Sequence, residues 1–213
     1  MIMEKQKTVG ILIFDQVEVL DFCGPFEVFS VTRLDESKRM EEPSPFQILL
    51  IAERDQPIVT MGKMRVLPDH TLETCPPLDI LVIPGGWGTR RELSNTKLLE
   101  WIKQRAAQVK TLSSVCTGAL LLGEAHLLDG LRATTHWAAL DTMRKRFPQV
   151  KVESQYHWVE EGNVITAAGI SAGIDMALRI VSGYCGETVA RNTARRMEYP
   201  YPESDARRVS VSA

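Results

Sequence analysis

The stretch Lys110-Thr-Leu-Ser-Ser-Val-Cys116-Thr-Gly-Ala-Leu-Leu-Leu-Gly123 decides how this chain is read. A β-prone run, Thr111 to Val115, stops at a cysteine. The small residues Thr117-Gly118-Ala119 follow, and then the apolar, helix-forming run Leu120-Leu121-Leu122. Strand, sharp turn and helix together make a nucleophile elbow, a turn that needs small residues two before and two after the reactive side chain. Ser114 and Gly118 stand at those two positions around Cys116. A thiol there lies at a helix N-terminus, where the partial positive charge favours the thiolate. A free cysteine can equally be a small buried hydrophobe, so the elbow needs support from the rest of the chain.

Outward from the elbow, buried strands alternate with helices. Thr8 to Phe14, Phe46 to Ala52 and Asp79 to Pro84 are apolar runs of the kind buried on both faces of a parallel sheet. Glu92 to Gln108 repeats Leu93, Leu98, Leu99, Ile102 and Ala106 at helical spacing. Gly24 and Pro25 suit the N-cap and first position of a helix, which puts Asp21 just ahead of that helix. Pro57 to Val66 reads as a short hairpin with Gly62 in its turn, and residues 35–45 as a charged, proline-bearing surface loop. Beyond the elbow, Leu131 to His136 is a short strand and Trp137 to Phe147 a helix. Val150 to Val152 and Gln155 to Val159 are further strands, with a turn at Glu160–Asn163 into Val164 to Ala167. Helices over Ser171–Val181 and Glu187–Met197 close the pattern, Ser171 serving as a cap. Pro200 and Pro202 end regular structure and leave 203–213 as a frayed tail. This order predicts an α/β fold, a single domain over residues 1–202 with a mainly parallel sheet between helical layers. In such sheets ligands bind outside the carboxyl ends of the strands. Asp21, the cluster Gly85-Gly86-Trp87-Gly88 and Cys116 all fall at such ends.

Composition narrows the function. With 213 residues, 24% of them charged and a net charge of −2, nothing points to nucleic acid or an anionic membrane. Four scattered cysteines without paired spacing argue against a zinc site or a disulfide framework and for a reducing compartment. Residues 1–8 are polar and charged, without a signal-peptide apolar region, and no apolar run approaches the ~20 residues that span a bilayer. The expectation is a soluble, cytoplasmic protein.

Val115-Cys-Thr-Gly-Ala-Leu-Leu-Leu-Gly123 and Arg132-Ala-Thr-Thr-His-Trp137 resemble the ThiJ/PfpI family of the class I glutamine amidotransferase-like superfamily. Within it the resemblance is strongest to isocyanide (isonitrile) hydratases. Val19-Leu-Asp21 with Gly24-Pro25, Pro76 to Gly86, Ala168-Gly-Ile170-Ser-Ala-Gly-Ile-Asp175 and Met197-Glu-Tyr-Pro200 also fit, so the likeness runs from about residue 8 to 202. It implies a flavodoxin-like three-layer α/β/α sandwich, usually a homodimer, acting on a small molecule without metal or organic cofactor. In the hydratases an aspartate after the first strand pairs with the elbow cysteine, here Asp21 with Cys116. Thr117 stands where PfpI-like proteases carry a histidine, which weighs against proteolysis. His136 falls where other members have a histidine near the cysteine, and in hydratase-like sequences it sits in the Thr-Thr-His-Trp strand without an assigned catalytic role. Ile170 falls close to the cysteine or packs in the core. Trp87 fills a variable site whose bulk should shape the pocket. Backbone N–H groups near Gly85, Gly86 and Thr117 would stabilise developing negative charge. A carboxylate beside a thiolate is a like-charge pair, so one of the two should keep its proton. Two other readings stay open: a cofactor-independent glyoxalase, deglycase or amidase on the same scaffold, and a ligand- or redox-sensing domain related to AraC-type regulators. The chain ends about ten residues after Pro202, too soon for a DNA-binding domain of roughly 100 residues.

Overall fold

The computed structural model describes residues 6–211. The strands are β1 (Lys7–Leu12), β2 (Phe46–Ala52), β3 (Ile58–Val59), β4 (Arg65–Val66), β5 (His70–Thr71), β6 (Ile80–Ile83), β7 (Thr111–Val115), β8 (Arg132–Ala133), β9 (Lys151–Val152), β10 (Trp158–Glu161) and β11 (Val164–Ala167). The helices are α1 (Val19–Val31), α2 (Thr89–Glu92), α3 (Thr96–Ala106), α4 (Gly118–Glu124), α5 (Leu140–Arg146), α6 (Ala172–Cys185) and α7 (Glu187–Arg196). Seven strands form one sheet in the order β10-β11-β7-β6-β1-β2-β5. All its pairs are parallel except β10 with β11. Helices α1, α6 and α7 pack together on one face, and α3 and α4 on the other. This is the expected flavodoxin-like three-layer α/β/α sandwich. The hairpin β3–β4 and the small parallel pair β8–β9 lie outside the main sheet.

Burial on both faces explains the unbroken apolar strands. Val9, Ile11, Leu12, Ile80, Leu81, Val82 and Ile83 are almost wholly removed from solvent, each worth about 1.5–3 kcal/mol relative to exposure. The chain runs from β1 outward to β2, then returns to β6 on the other side of β1. That reversal opens a crevice at the carboxyl ends of β1 and β6, the switch point where α/β sheets bind ligands.

Several local expectations change. Strand β8 is confined to Arg132–Ala133, so His136 lies beyond the strand and caps the turn at Trp137–Ala139, and β10 begins only at Trp158. Helix α1 begins at Val19, so Gly24 and Pro25 lie within it and Asp21 sits in its first turn. The cause is long-range: Val17 bridges to Gly86, and the Glu18 N–H donates to the Gly85 carbonyl at 2.9 Å, which fixes the entry to the helix. The helix expected over 92–108 begins only at Thr96, as α3, because Asn95 caps it by accepting from the Leu98 N–H, and Glu92 ends the short helix α2 instead. Ser171 precedes α6 without a side-chain capping bond. The stretch 203–211 is not frayed. Asp205 accepts from the His157 N–H, the Arg207 N–H donates to Gln155 at 2.8 Å, and Tyr156 bridges to Ala206. Among the described residues no helix is long and apolar enough to cross a membrane.

Candidate active site

The elbow is built as the sequence suggests. Cys116 follows β7 directly, has φ of +57°, and is 7% exposed. A left-handed conformation is costly for a side chain with a Cβ and persists only where the surroundings hold it. Here the Cys116 N–H donates to Ala167 at 3.0 Å, and the Thr135 hydroxyl donates to the Cys116 carbonyl at 2.8 Å. Two glycines make room. A Cβ on Gly118 would lie 2.1 Å from the Ile83 carbonyl oxygen, and one on Gly169 2.4 Å from the Cys116 Cβ.

Asp21 reaches the elbow from α1. It is fully buried, and its Oδ2 accepts from the Gly85 N–H at 3.0 Å. Its Oδ1 makes no conventional hydrogen bond; the remaining interaction of the carboxyl is with the Cys116 thiol. Burial is the main cause that pushes Asp21 up to about 7, with the Gly85 N–H opposing it and the Glu18 charge adding to it. Burial likewise drives the Cys116 thiol far above its ordinary range, and the Asp21 charge adds to that. The N–H and hydroxyl of Thr117 pull the other way and lose. The thiolate expected at a helix N-terminus is therefore not the resting state. Helix α4 has only seven residues, and burial of the sulfur is the largest influence on the thiol.

The glycine turn serves the pair differently from the expected anion hole. The Gly85 N–H is taken by Asp21, and the Gly86 N–H donates to the Thr117 hydroxyl at 3.0 Å. The same hydroxyl lies 3.0 Å from that of Thr89. Of the expected donors, the Thr117 N–H faces the sulfur. A single such donor is worth about 3–4 kcal/mol to a developing anion. Thr117 and Gly85 are packed together, since a Cβ on Gly85 would stand 2.5 Å from the Thr117 N.

The other expected residues divide. Ile170, next to Gly169 at the elbow, is 37% exposed, so it is not core packing. His136 is half-buried; its Nδ1 accepts from the Ala138 N–H at 3.3 Å, and burial and the Arg207 charge lower its pKa. It is not among the groups that act on the Cys116 thiol, whereas its neighbour Thr135 is bonded to the Cys116 carbonyl. Trp87 is 56% exposed, lies under the Arg90 guanidinium at 3.9 Å, and lines a cavity of about 780 Å³ with Gln16, Met61 and Lys63. That cavity does not include Cys116. Thr135 and Gly169 stand within the quoted motifs but carry no chemical signature there. Among the described residues no cluster of three His, Cys, Asp or Glu could hold a metal ion.

A parallel α/β/α sandwich with an elbow cysteine against a buried carboxyl at the sheet's switch point defines a class of protein, and known proteins match this chain in family and fold. Residues 7–183 match the model of the DJ-1/PfpI family, and the chain belongs to that family. It is 35% identical over 199 residues to an isonitrile hydratase from Pseudomonas putida, covering 93% of this chain and 81% of that protein. It is 30% identical over 158 residues to the HTH-type transcriptional regulator CdhR of Pseudomonas aeruginosa, where the match spans 73% of this chain and 46% of the regulator. A ThiJ/PfpI family protein from Pseudomonas syringae superposes with a TM-score of 0.80 at 30% identity, covering 94% of this chain and 78% of that one.

Proposed function

We propose that this protein is a cysteine-dependent isocyanide hydratase, converting R–N≡C and water to the N-formamide. The observation that carries this reading is the buried Asp21–Cys116 pair, in which the carboxyl is raised to about 7 against a neutral thiol. The 35% identity to an isonitrile hydratase supports the substrate class.

An isocyanide needs a nucleophile at its terminal carbon and a proton at the same carbon. A pair that shares one proton supplies both. The thiol passes its proton to the Asp21 carboxylate as sulfur bonds to carbon, and Asp21 returns that proton to the carbon, giving the thioimidate R–N=CH–S–Cys116. Water then adds to the thioimidate carbon, Asp21 taking one of its protons and passing it to the nitrogen, which gives R–NH–CH(OH)–S–Cys116, whose hydroxyl proton goes to the sulfur. Collapse expels the thiol and leaves R–NH–CHO. Atoms balance as one isocyanide plus one water, and no cofactor enters the sequence. The Gly85 N–H keeps one carboxyl oxygen fixed so that the other faces the sulfur. A proton carrier near 7 is well matched to neutral pH, where such groups contribute about 10²–10⁴ in rate.

The pair also frames the competing reading. Glyoxalase or deglycase chemistry on an aldehyde would need an anion hole for an alkoxide, and here the Gly85 and Gly86 N–H groups are both occupied. An isocyanide, protonated at carbon, makes less demand on such donors. Parallel assays with an alkyl isocyanide and with methylglyoxal test the proposal. Formamide from the first and no lactate from the second is the expected result, and hydration that survives in Cys116→Ala would refute it. As further parts of this reading, Ile170 contacts the R group at the mouth of the site, and the protein acts as a homodimer.

A further inference from the structure

The segment after Pro202 does more than cover the sheet edge. Arg207 projects from it, and its Nη2 donates to the Thr134 hydroxyl at 3.0 Å and to the Thr135 carbonyl at 3.1 Å. Thr135 is fully buried, and its own hydroxyl donates to the Cys116 carbonyl at 2.8 Å. The segment is anchored on both sides of Arg207. Its backbone pairs with 155–157, and Arg208 reaches the buried Asp175 at 2.9 Å.

We propose that Arg207 and Thr135 form a positioning relay through which the C-terminal segment holds the elbow, keeping the Cys116 sulfur turned toward the Asp21 carboxyl. Neither side chain touches the reacting atoms. Their effect runs through the carbonyl of Cys116, the residue at φ of +57°. A left-handed non-glycine residue relaxes when the contacts that over-determine it are removed, and the Thr135 hydroxyl is one of those contacts. Arg207 in turn fixes Thr135 by its carbonyl, leaving the hydroxyl aimed at the elbow. Desolvation makes this a costly placement for a guanidinium: burial lowers the Arg207 pKa, and its Nε is buried without a hydrogen-bond partner. A charged group held so needs a reason other than solubility.

The relay rests on Cys116 being the reactive group of the site, and the test reads that thiol directly, whether or not an isocyanide is turned over. The groups that act on the thiol are Asp21 from α1 and Thr117, with Glu18 acting on Asp21; the Arg207 charge bears on His136. If the elbow relaxes, the sulfur leaves the carboxyl and gains solvent, and its pKa falls toward the ordinary thiol range. The full chain is treated with iodoacetamide across pH 6–10, and alkylation of the Cys116 peptide is followed by mass spectrometry. Thr135→Val and Arg207→Ala are expected to move the profile to lower pH and raise alkylation at pH 8 by a factor of about five, the worth of one neutral hydrogen bond. Thr135→Ser and Arg207→Lys keep the profile of the unaltered chain. Arg208→Ala loosens the same segment without breaking the relay, and leaves the profile in place. Profiles of Thr135→Val and Arg207→Ala that overlay the unaltered protein would overturn the relay, as would an equal shift in Arg208→Ala. Should Arg207→Ala fail to fold, Thr135→Val, which keeps the side chain's shape, decides.

Discussion

Two aspartates in this molecule are completely buried, and they are buried in opposite company. Asp175, on α6, lies in a closed cluster: Tyr199 donates to Oδ1 at 2.9 Å, while His157 Nε2 and the Arg208 guanidinium each stand 2.9 Å from Oδ2. Asp21, on α1, has one backbone N–H and a thiol, and no cation. The first carboxyl ties the C-terminal segment and α6 to the body of the fold. The second is left with a proton it can give and take. A buried carboxyl becomes chemically available where the fold declines to neutralise it, and the same residue type with an arginine nearby becomes a rivet.

Breaking the reactive side of this comparison gives the largest effect. Cys116→Ala removes the proposed nucleophile, and formamide production should fall to the background rate when followed by chromatography of the product. Stability separates the two aspartates next. Because Asp21 is held at about 7 rather than 3.8, the folded state binds more protons than the unfolded one between those values. Its contribution to stability is therefore present at low pH and lost as pH rises through about 7. Asp21→Asn keeps an acceptor for the Gly85 N–H and removes that loss. Denaturant melts should show the variant more stable at pH 8 by up to ~4 kcal/mol, three pH units' worth, and close to the unaltered protein at pH 4. Asp175→Asn should do the reverse, costing about 1–3 kcal/mol at pH 7 by leaving the Arg208 guanidinium without its counter-charge and the Tyr199 hydroxyl with a weaker acceptor. An equal gain in both variants would erase the distinction. The smallest effect belongs outside both clusters: Trp87→Ala should change stability by no more than about 0.5 kcal/mol in the same melts.

The sandwich is legible in the sequence, the pairing of Asp21 with Cys116 enters as what the family resemblance implies, and physical reasons explain what the sequence did not carry. Apolar runs such as Ile80–Ile83 announce buried parallel strands because both faces must be dry. The small residues around Cys116 announce an elbow because a Cβ on Gly118 would strike the end of β6. The start of helix α1 is not legible locally: Gly24-Pro25 is a strong local signal for a start, while the true start is set by contacts to Gly85 and Gly86 more than sixty residues away. Pro25 lacks an N–H for the Asp21 carbonyl four residues earlier, and tertiary packing overrides that loss. The state of the thiol is hidden from the sequence for a related reason. A helix N-terminus is visible in sequence, whereas the burial that drives the thiol upward is not. The tail after Pro202 reads as loose by composition, and only the pairing with 155–157 and the reach of Arg207 and Arg208 reveal it as part of the body.

The central claim is that Asp21 and Cys116 react as one proton-sharing pair, and the pH dependence of isocyanide hydration tests it most directly. Well below pH 7 the pair holds two protons and the sulfur cannot lose its own to Asp21; above it one proton remains to be shared. For the unaltered protein kcat/KM should rise along a single limb with a midpoint near 7 and stay high into the alkaline range. Asp21→Asn should be slower by about 10²–10⁴ and lack the limb. A limb centred near 4, or one near 7 that persists in Asp21→Asn, would contradict the account.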